Sequence, residues 1–239
     1  MQLPVFPLHT VLFPHLPLPL HVFEERYRAM ATDLMADPSP YGGRFVVSMI
    51  TEGSEVGADA ATHDVGTICE VSTAEQFADG RWMLVGVGVA RARITPVEGR
   101  GKPYRLVEAV ELADPAGDGA VALVPPAQDA LDAYLATVKR FVVRAASVGR
   151  TEPQEPTDVA ASLDRMLKPI HLPDDPVAAS YAIGGLLQIE LSRKQHLLEI
   201  PDAAGRLRAE LHLLRREARL LDDGAMPPVQ PSDIGYHPN

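Results

Sequence analysis

Histidines stand at positions 9, 15 and 21, six apart, and Glu24 and Glu25 follow close behind. Imidazole and carboxylate together are donors that a zinc ion could use. The spacing argues against it. Six residues of extended chain span about 20 Å at roughly 3.3 Å per residue. Three such side chains meet at one ion only if the chain folds sharply between them. Prolines at 4, 7, 14, 17 and 19 make bends possible, but His21 and Glu24 lack the second histidine of a His-Glu-x-x-His helix. The expectation is no metal, with His21 and Glu24 as hydrogen-bonding groups at a helix entrance.

Other chemistries leave few marks. There is no Gly-x-x-x-x-Gly-Lys-Ser/Thr phosphate loop and no Gly-x-Ser-x-Gly elbow, and Gly86-Val-Gly88 is too short for a dinucleotide fingerprint. Ser192 and Lys194 are two apart, and helix positions two apart do not face each other, so Ser192 reads as a local cap. Cys69 lies in the apolar run VGTICEV and reads as a core thiol. As the single cysteine it excludes an intrachain disulfide and a cysteine-based zinc cluster. Arg91, Arg93, Arg100, Lys102 and Arg105 gather around one expected hairpin, and Arg91 and Arg93 share a strand face. This is the one candidate anion or RNA patch. A solvated face neutralised by Glu98, Glu108 and Glu111 is the preferred reading of it.

The whole chain is acidic. Its 239 residues carry a formal charge of −10. Residues 1–115 hold 9 basic against 15 acidic side chains, and residues 116–239 hold 13 against 17. The mean field repels a phosphate backbone, which disfavours nucleic acid as a general partner. No stretch reaches the roughly 18 uninterrupted apolar residues of a spanning helix, and the N-terminus lacks the positive region of a signal peptide. Together with the lone cysteine this gives a cytoplasmic expectation and no membrane partner.

The elements that must position these groups fall into two halves. Residues 1–115 read as β-rich. Phe45–Ile50 and Val65–Val71 are short apolar runs, Asp79-Gly80 is a turn dipeptide between strand formers, and Tyr104–Leu112 follows a Gly/Pro turn. Such short strands make a barrel or compact sheet. One helix interrupts them: Phe23, Tyr27, Met30 and Leu34 keep helical spacing, Glu24 and Glu25 suit its positive end, and Pro38 and Pro40 stop it. Residues 116–126 read as a linker. From 127 to 222 the period becomes helical, giving a small bundle. Its stripes are Leu131, Leu135, Val138, Val142 and Ala145; then Val159, Leu163, Met166 and Leu167; then Ile183, Leu186, Leu187 and Leu191; then Leu207, Leu211, Leu214, Ala218 and Leu221. Asp175 and Asp202 are expected N-caps, Asp175 with Pro176 behind it. The last helix carries Arg208, Arg215, Arg216 and Arg219 on its other face. Residues 223–239 have no periodicity and read as a disordered tail.

The opening block resembles the start of the Lon protease N-terminal, substrate-binding domain. The residues that carry the resemblance are Leu3, Pro4, Phe6, Pro7, Leu8, Leu12, Phe13, Pro14, Leu18, Pro19, Leu20, Phe23, Glu24, Arg26 and Tyr27. It continues in Val65-Gly66-Thr67, in Asp79-Gly80-Arg81, in Gly88 with Arg91-Ala-Arg93-Ile94, and in Lys194-Gln195, Leu198-Glu199 and Arg206-Leu207, covering about residues 2–220. The resemblance implies an α+β fold: a PUA-like β-barrel with one inserted helix, then an α-helical bundle. It implies a stand-alone substrate-binding-domain protein without the ATPase and Ser-Lys protease modules, hence no enzyme and no cofactor.

The expected function is non-catalytic recognition of unfolded or exposed polypeptide, as an adaptor or regulator in protein quality control, with a protease or chaperone as a further possible partner. The expected peptide surface is the apolar opening: Phe6, Leu8, Phe13, Leu16 and Leu18. Pro14, Phe23, Glu24, Arg26 and Tyr27 are expected to be structural. Two alternatives stand beside this: RNA or nucleotide binding through the barrel and its arginines, and a hydrolase whose site leaves no motif.

Overall fold

The computed structural model describes residues 1–57, 60–97, 101–147 and 169–224. In chain order the elements are β1 (Gln2–Leu8), β2 (Pro17–Val22), α1 (Glu25–Leu34), β3 (Arg44–Glu52), β4 (Ala61–Thr62), β5 (Val65–Gln76), β6 (Trp82–Val97), β7 (Leu106–Glu111), α2 (Ala120–Ser147), α3 (Pro176–Leu186), α4 (Leu191–Glu199) and α5 (Ala203–Asp222). The fold is α+β with a mostly antiparallel sheet. Two compact units share the chain. Of the described residues, the first holds Met1–Asp114 and takes back Ile189–Pro201, and the second holds 115–147, 169–188 and 202–224.

In the first unit the expected strands and the expected Asp79-Gly80 hairpin form. Gly80 takes φ 82°, which a side chain resists, and the turn closes through Phe77 N–H to the Arg81 carbonyl, 2.9 Å. The sheet runs β1-β7-β6-β5-β3-β4, with β2 on β6 and β1 also parallel to β3. The path β1-β7-β6-β5-β3 therefore returns to β1 through hydrogen-bonded pairs.

A bulge on β6 decides which residues go inside. Ile68 pairs Ala90 and Cys69 pairs Gly88, so Val89 is an extra residue. One inserted residue swaps the face that a strand buries. Leu84 accordingly joins a first core with Phe6, Leu8, Leu20, Tyr27 and Phe45. Ala92 and Ile94 join a second with Leu3, Val5, Ile68 and Val107. Cys69 is buried, and burial first, then the Glu70 charge, pushes its thiol up to about 12. It is an inert core group, as its apolar setting predicts.

The second unit departs from expectation at its start. Residues 116–126 were expected to be a linker, yet α2 begins at Ala120 and contains Pro125 and Pro126. Those prolines deprive the carbonyls of Val121 and Ala122 of helical donors. Both residues are exposed, so water can take the donors' place. The buried stripe of α2 is Ala127, Leu131, Tyr134 and Thr137, about one residue out of phase with the expected one, and Val142 is exposed. Tyr134 shifts the phase: its hydroxyl accepts from Gln188 N–H at 3.1 Å. The caps form as expected. Asp175 accepts from Ala178 N–H at 2.9 Å, and Asp202 from Gly205 N–H at 2.8 Å. Leu207, Leu211, Leu214 and Leu221 of the α5 stripe are buried. The stripe at 159–167 and residues 225–239 of the expected tail lie outside the described residues. Among the described residues no helix is long and apolar enough to cross a membrane.

Candidate functional site

The proline-rich opening is built into the first core. Residues 9–16 form a strap between β1 and β2. Three bonds anchor it: His15 N–H to the Gly88 carbonyl at 2.8 Å, Gly88 N–H to the Leu16 carbonyl at 3.0 Å, and the Thr67 hydroxyl to the Leu12 carbonyl at 2.5 Å. Phe6 stacks on Tyr27 with centroids 4.3 Å apart. Arg26 lies over the Tyr27 ring at 4.5 Å, pairs with Glu24 at 3.3 Å, and donates to the Glu55 carbonyl at 3.1 Å. Glu24 in turn accepts from Gly57 N–H at 3.1 Å. Glu24, Arg26 and Tyr27 thus tie the loop around residue 55 to the helix start. Pro14 is buried and Phe23 half-buried.

This placement corrects the expected peptide surface. Phe6, Leu8, Phe13 and Leu18 are 0–5 % exposed. They line neither of the two clefts described below. Only Leu16 of the five keeps part of its surface, and it packs against the first core. The free edge of β2 is also poorly suited to strand addition. The Leu16–Gly88 bond sets the ladder at even positions, so alternation turns 17, 19 and 21 outward, and Pro17 and Pro19 have no donor to offer.

The histidines do not converge. His9 N–H donates to Glu55 and His15 is exposed. His21 lies 3.5 Å from Arg81 and near the rings of Phe23 and Phe77. Among the described residues no group of three metal-ligating side chains exists. Ser192 is not the N-cap, because α4 begins one residue before it at Leu191, with Glu190 in the cap position.

The arginine patch is dispersed. Arg91 is 2 % exposed, so neither anion binding nor a solvated face describes it. Its Nη1 donates to the carbonyls of Leu198 (3.0 Å) and Ile200 (2.8 Å). Its Nη2 donates to those of Ala113 (2.9 Å) and Pro201 (3.0 Å) and reaches Asp114 at 3.3 Å. The four Nη N–H groups of the fixed guanidinium fork thus serve five acceptors, while the buried Nε has no hydrogen-bond partner among the described residues. Lys102 is bound to Asp33 at 2.7 Å. Burial raises the Asp33 carboxyl, but bonds from Lys102 and Tyr104 outweigh it and hold the group below the usual carboxylate range. Arg93 and Arg105 are exposed, and Arg100 lies outside the described residues.

Arg105 borders a different feature. A cleft of about 280 Å³ opens where β1, β4, β6 and β7 meet. Val5, Ile94, Leu106 and Val107 are the buried part of its apolar lining, and Thr62, His63, Asp64 and Arg105 are among its polar lining. Asp64 is pinned there, its carbonyl accepting from Ile94 N–H at 2.8 Å. The His63 Nδ1 lies 3.5 Å from a Glu199 carboxylate oxygen on α4. An apolar lining with a few polar groups is the usual make-up of a binding pocket.

The profile of the ATP-dependent protease La (LON) substrate-binding domain matches residues 2–216. The chain belongs to this family. Lon protease 2 of Desulfotalea psychrophila is 26% identical over 223 residues, covering 92% of this chain and 26% of that protein. The Lon protease of Trichlorobacter lovleyi is 27% identical over 226 residues, covering 92% and 24%. The chain thus spans about a quarter of the length of these curated relatives. Two solved structures share the fold. The N-terminal domain of Mycobacterium avium complex Lon protease has a TM-score of 0.58 at 21% identity, covering 90% of this chain and 98% of that one. A Lon N-terminal domain protein from Xanthomonas campestris has 0.54 at 23%, covering 89% and 98%.

Of the motif residues, Pro14 and Tyr27 are buried and Glu24 and Arg26 bond to the loop around residue 55, while the cleft residues carry no motif. Val5 and Val107 come from strands about a hundred residues apart, and only their pairing with a common sheet brings them together. Gly88 illustrates the motif residues. A Cβ there would lie 2.5 Å from the Phe13 carbonyl oxygen, a backbone atom with no freedom to yield. Gly88→Ala is expected to cost about 1–3 kcal/mol through overpacking, read as a lower melting temperature. An unchanged melting curve would show that the strap is loosely held.

Proposed function

We propose that this chain recognises exposed apolar polypeptide without chemistry of its own, and that the cleft lined by Val5, Ile94, Leu106 and Val107 takes the apolar side chains. The observation that carries this is the cleft itself: lined by apolar and polar groups together, and sized for one or two side chains. Membership of a substrate-binding family supports the same kind of ligand. We read the closed pairing circuit as a PUA-like barrel with the cleft at its mouth, and the described residues between 115 and 222, apart from the returning 189–201, as the separate helical domain. A role as adaptor or regulator in protein quality control, beside a protease or chaperone in a reducing cytoplasm, follows from that reading.

The test is fluorescence anisotropy of a labelled, permanently unfolded polypeptide, at low and high salt. Thr62→Trp fills the cleft from its half-exposed wall. Binding is expected to survive salt, since apolar burial is little screened, and to weaken about tenfold, or 1.4 kcal/mol, in the variant. Equal binding by a folded Thr62→Trp protein would move the site elsewhere, and no binding by the parent protein would end the proposal.

A further inference from the structure

The last helix carries a surface that the cleft does not use. On α5, Arg208, His212, Arg215 and Arg219 are all exposed. They are spaced four, three and four apart, which aligns them on one face over about 16 Å at 1.5 Å per residue. They line a groove of about 570 Å³, with the half-exposed Leu220 and the edge of the largely buried Leu211 (9 % exposed) set among them. In a chain of formal charge −10 this is a local reversal of sign.

Their partners explain little of it. Arg208 donates to a neutral acceptor, the Asp118 carbonyl, at 3.1 Å. The neighbouring Arg216 is satisfied by Glu217 at 2.8 Å. Arg215 and Arg219 have no carboxylate partner among the described residues. Like charges four apart on a helix oppose its stability. The negative end of the helix dipole compensates Arg219, in the last turn, and fades beyond it.

We propose that this face docks an acidic, amphipathic helical segment of another polypeptide, its carboxylates paired with Arg208, Arg215 and Arg219 and its apolar residues on Leu220 and the exposed edge of Leu211. Charge complementarity selects carboxylates or phosphates. The two leucines select between them, since a partner with apolar groups on the same helical period covers both kinds of lining at once. The surface belongs to the second unit and is independent of the cleft in the first.

The probe is a labelled peptide of about 16 residues, matched to the length of the stripe, with Glu at i, i+4, i+7 and i+11 and Leu on the adjoining face. A second peptide replaces each Glu with Gln. A labelled single-stranded RNA runs beside them. Binding of the Glu peptide is expected, with about tenfold loss for the Gln peptide, about tenfold loss for Arg215→Glu/Arg219→Glu, and progressive loss with salt. Thr62→Trp is expected to leave it unchanged, which separates this surface from the cleft. The double variant changes only exposed residues, and a circular dichroism melt confirms that it folds. No binding of the Glu peptide, equal binding by the double variant, or tighter binding of RNA lost in that variant would each overturn the proposal.

Discussion

Arg91→Ala is expected to lower stability by about 3–5 kcal/mol, the range for emptying a buried charged cluster. For a chain of this size that is a fall of about 10 °C in melting temperature. The guanidinium gives buried donors to four carbonyls and reaches one carboxylate. Truncation leaves those carbonyls without partners in a place that water reaches poorly. Arg91→Lys is expected to recover little, because one ammonium with three donors cannot satisfy acceptors spread over residues 113–114 and 198–201. The loss should be local as well as global. Amide exchange in Leu191–Glu199 and the residues that follow should accelerate more than in β3. A variant melting within about 2 °C of the parent, below the effect of one lost hydrogen bond, would show that these bonds contribute nothing net.

Glu210→Gln is expected to act in the opposite direction. Glu210 is fully buried on α5, and among the described residues neither carboxylate oxygen has a hydrogen-bond partner. Burial pushes its pKa well up, and the nearby Arg206 charge only partly opposes this. A carboxyl raised in the folded state binds its proton more tightly there than in the unfolded chain. Its contribution to stability is therefore full below the ordinary glutamate value of about 4.3, and it is lost as pH rises through the folded-state value. The neutral isostere removes that dependence. At pH 7 Glu210→Gln should gain about 2 kcal/mol, and the gain should vanish by pH 4, where the native carboxyl is protonated. Melting curves from pH 4 to 8 decide it. A variant less stable than the parent at pH 7 would mean that Glu210 is held ionised by a favourable charge.

The two variants lie in different units, and neither residue stood out in the sequence as what it is. Arg91 was read as half of an exposed pair with Arg93, on the sound rule that positions two apart on a strand share a face. The face was right and the exposure was not. A strand pattern gives the side of the sheet but not what covers that side. Here the cover is the end of α4, more than a hundred residues later. Glu210 fits a helical pattern as easily as an exposed glutamate would. Only the packing of α5 encloses it.

What the sequence determined by itself was local. Alternation gave the strands, Asp79-Gly80 gave the hairpin, Asp175 and Asp202 gave the caps, and the stripe from Leu207 to Leu221 gave the buried side of α5. Each is set by residues within a turn or two of one another. The opening block, with its fixed order of prolines and aromatics, was sufficient to recognise the Lon substrate-binding family. Tertiary structure alone decided the rest. It placed Phe6, Leu8, Phe13 and Leu18 inside rather than on a surface, because the strap is bonded across Gly88 and Thr67. It brought Val5, Ile94, Leu106 and Val107 to one cleft, because β1 pairs with both β3 and β7. It turned Arg91 inward, because a later segment returns to the sheet. Side-chain burial depends on which distant strand or helix arrives as neighbour, and no local pattern of polarity carries that information.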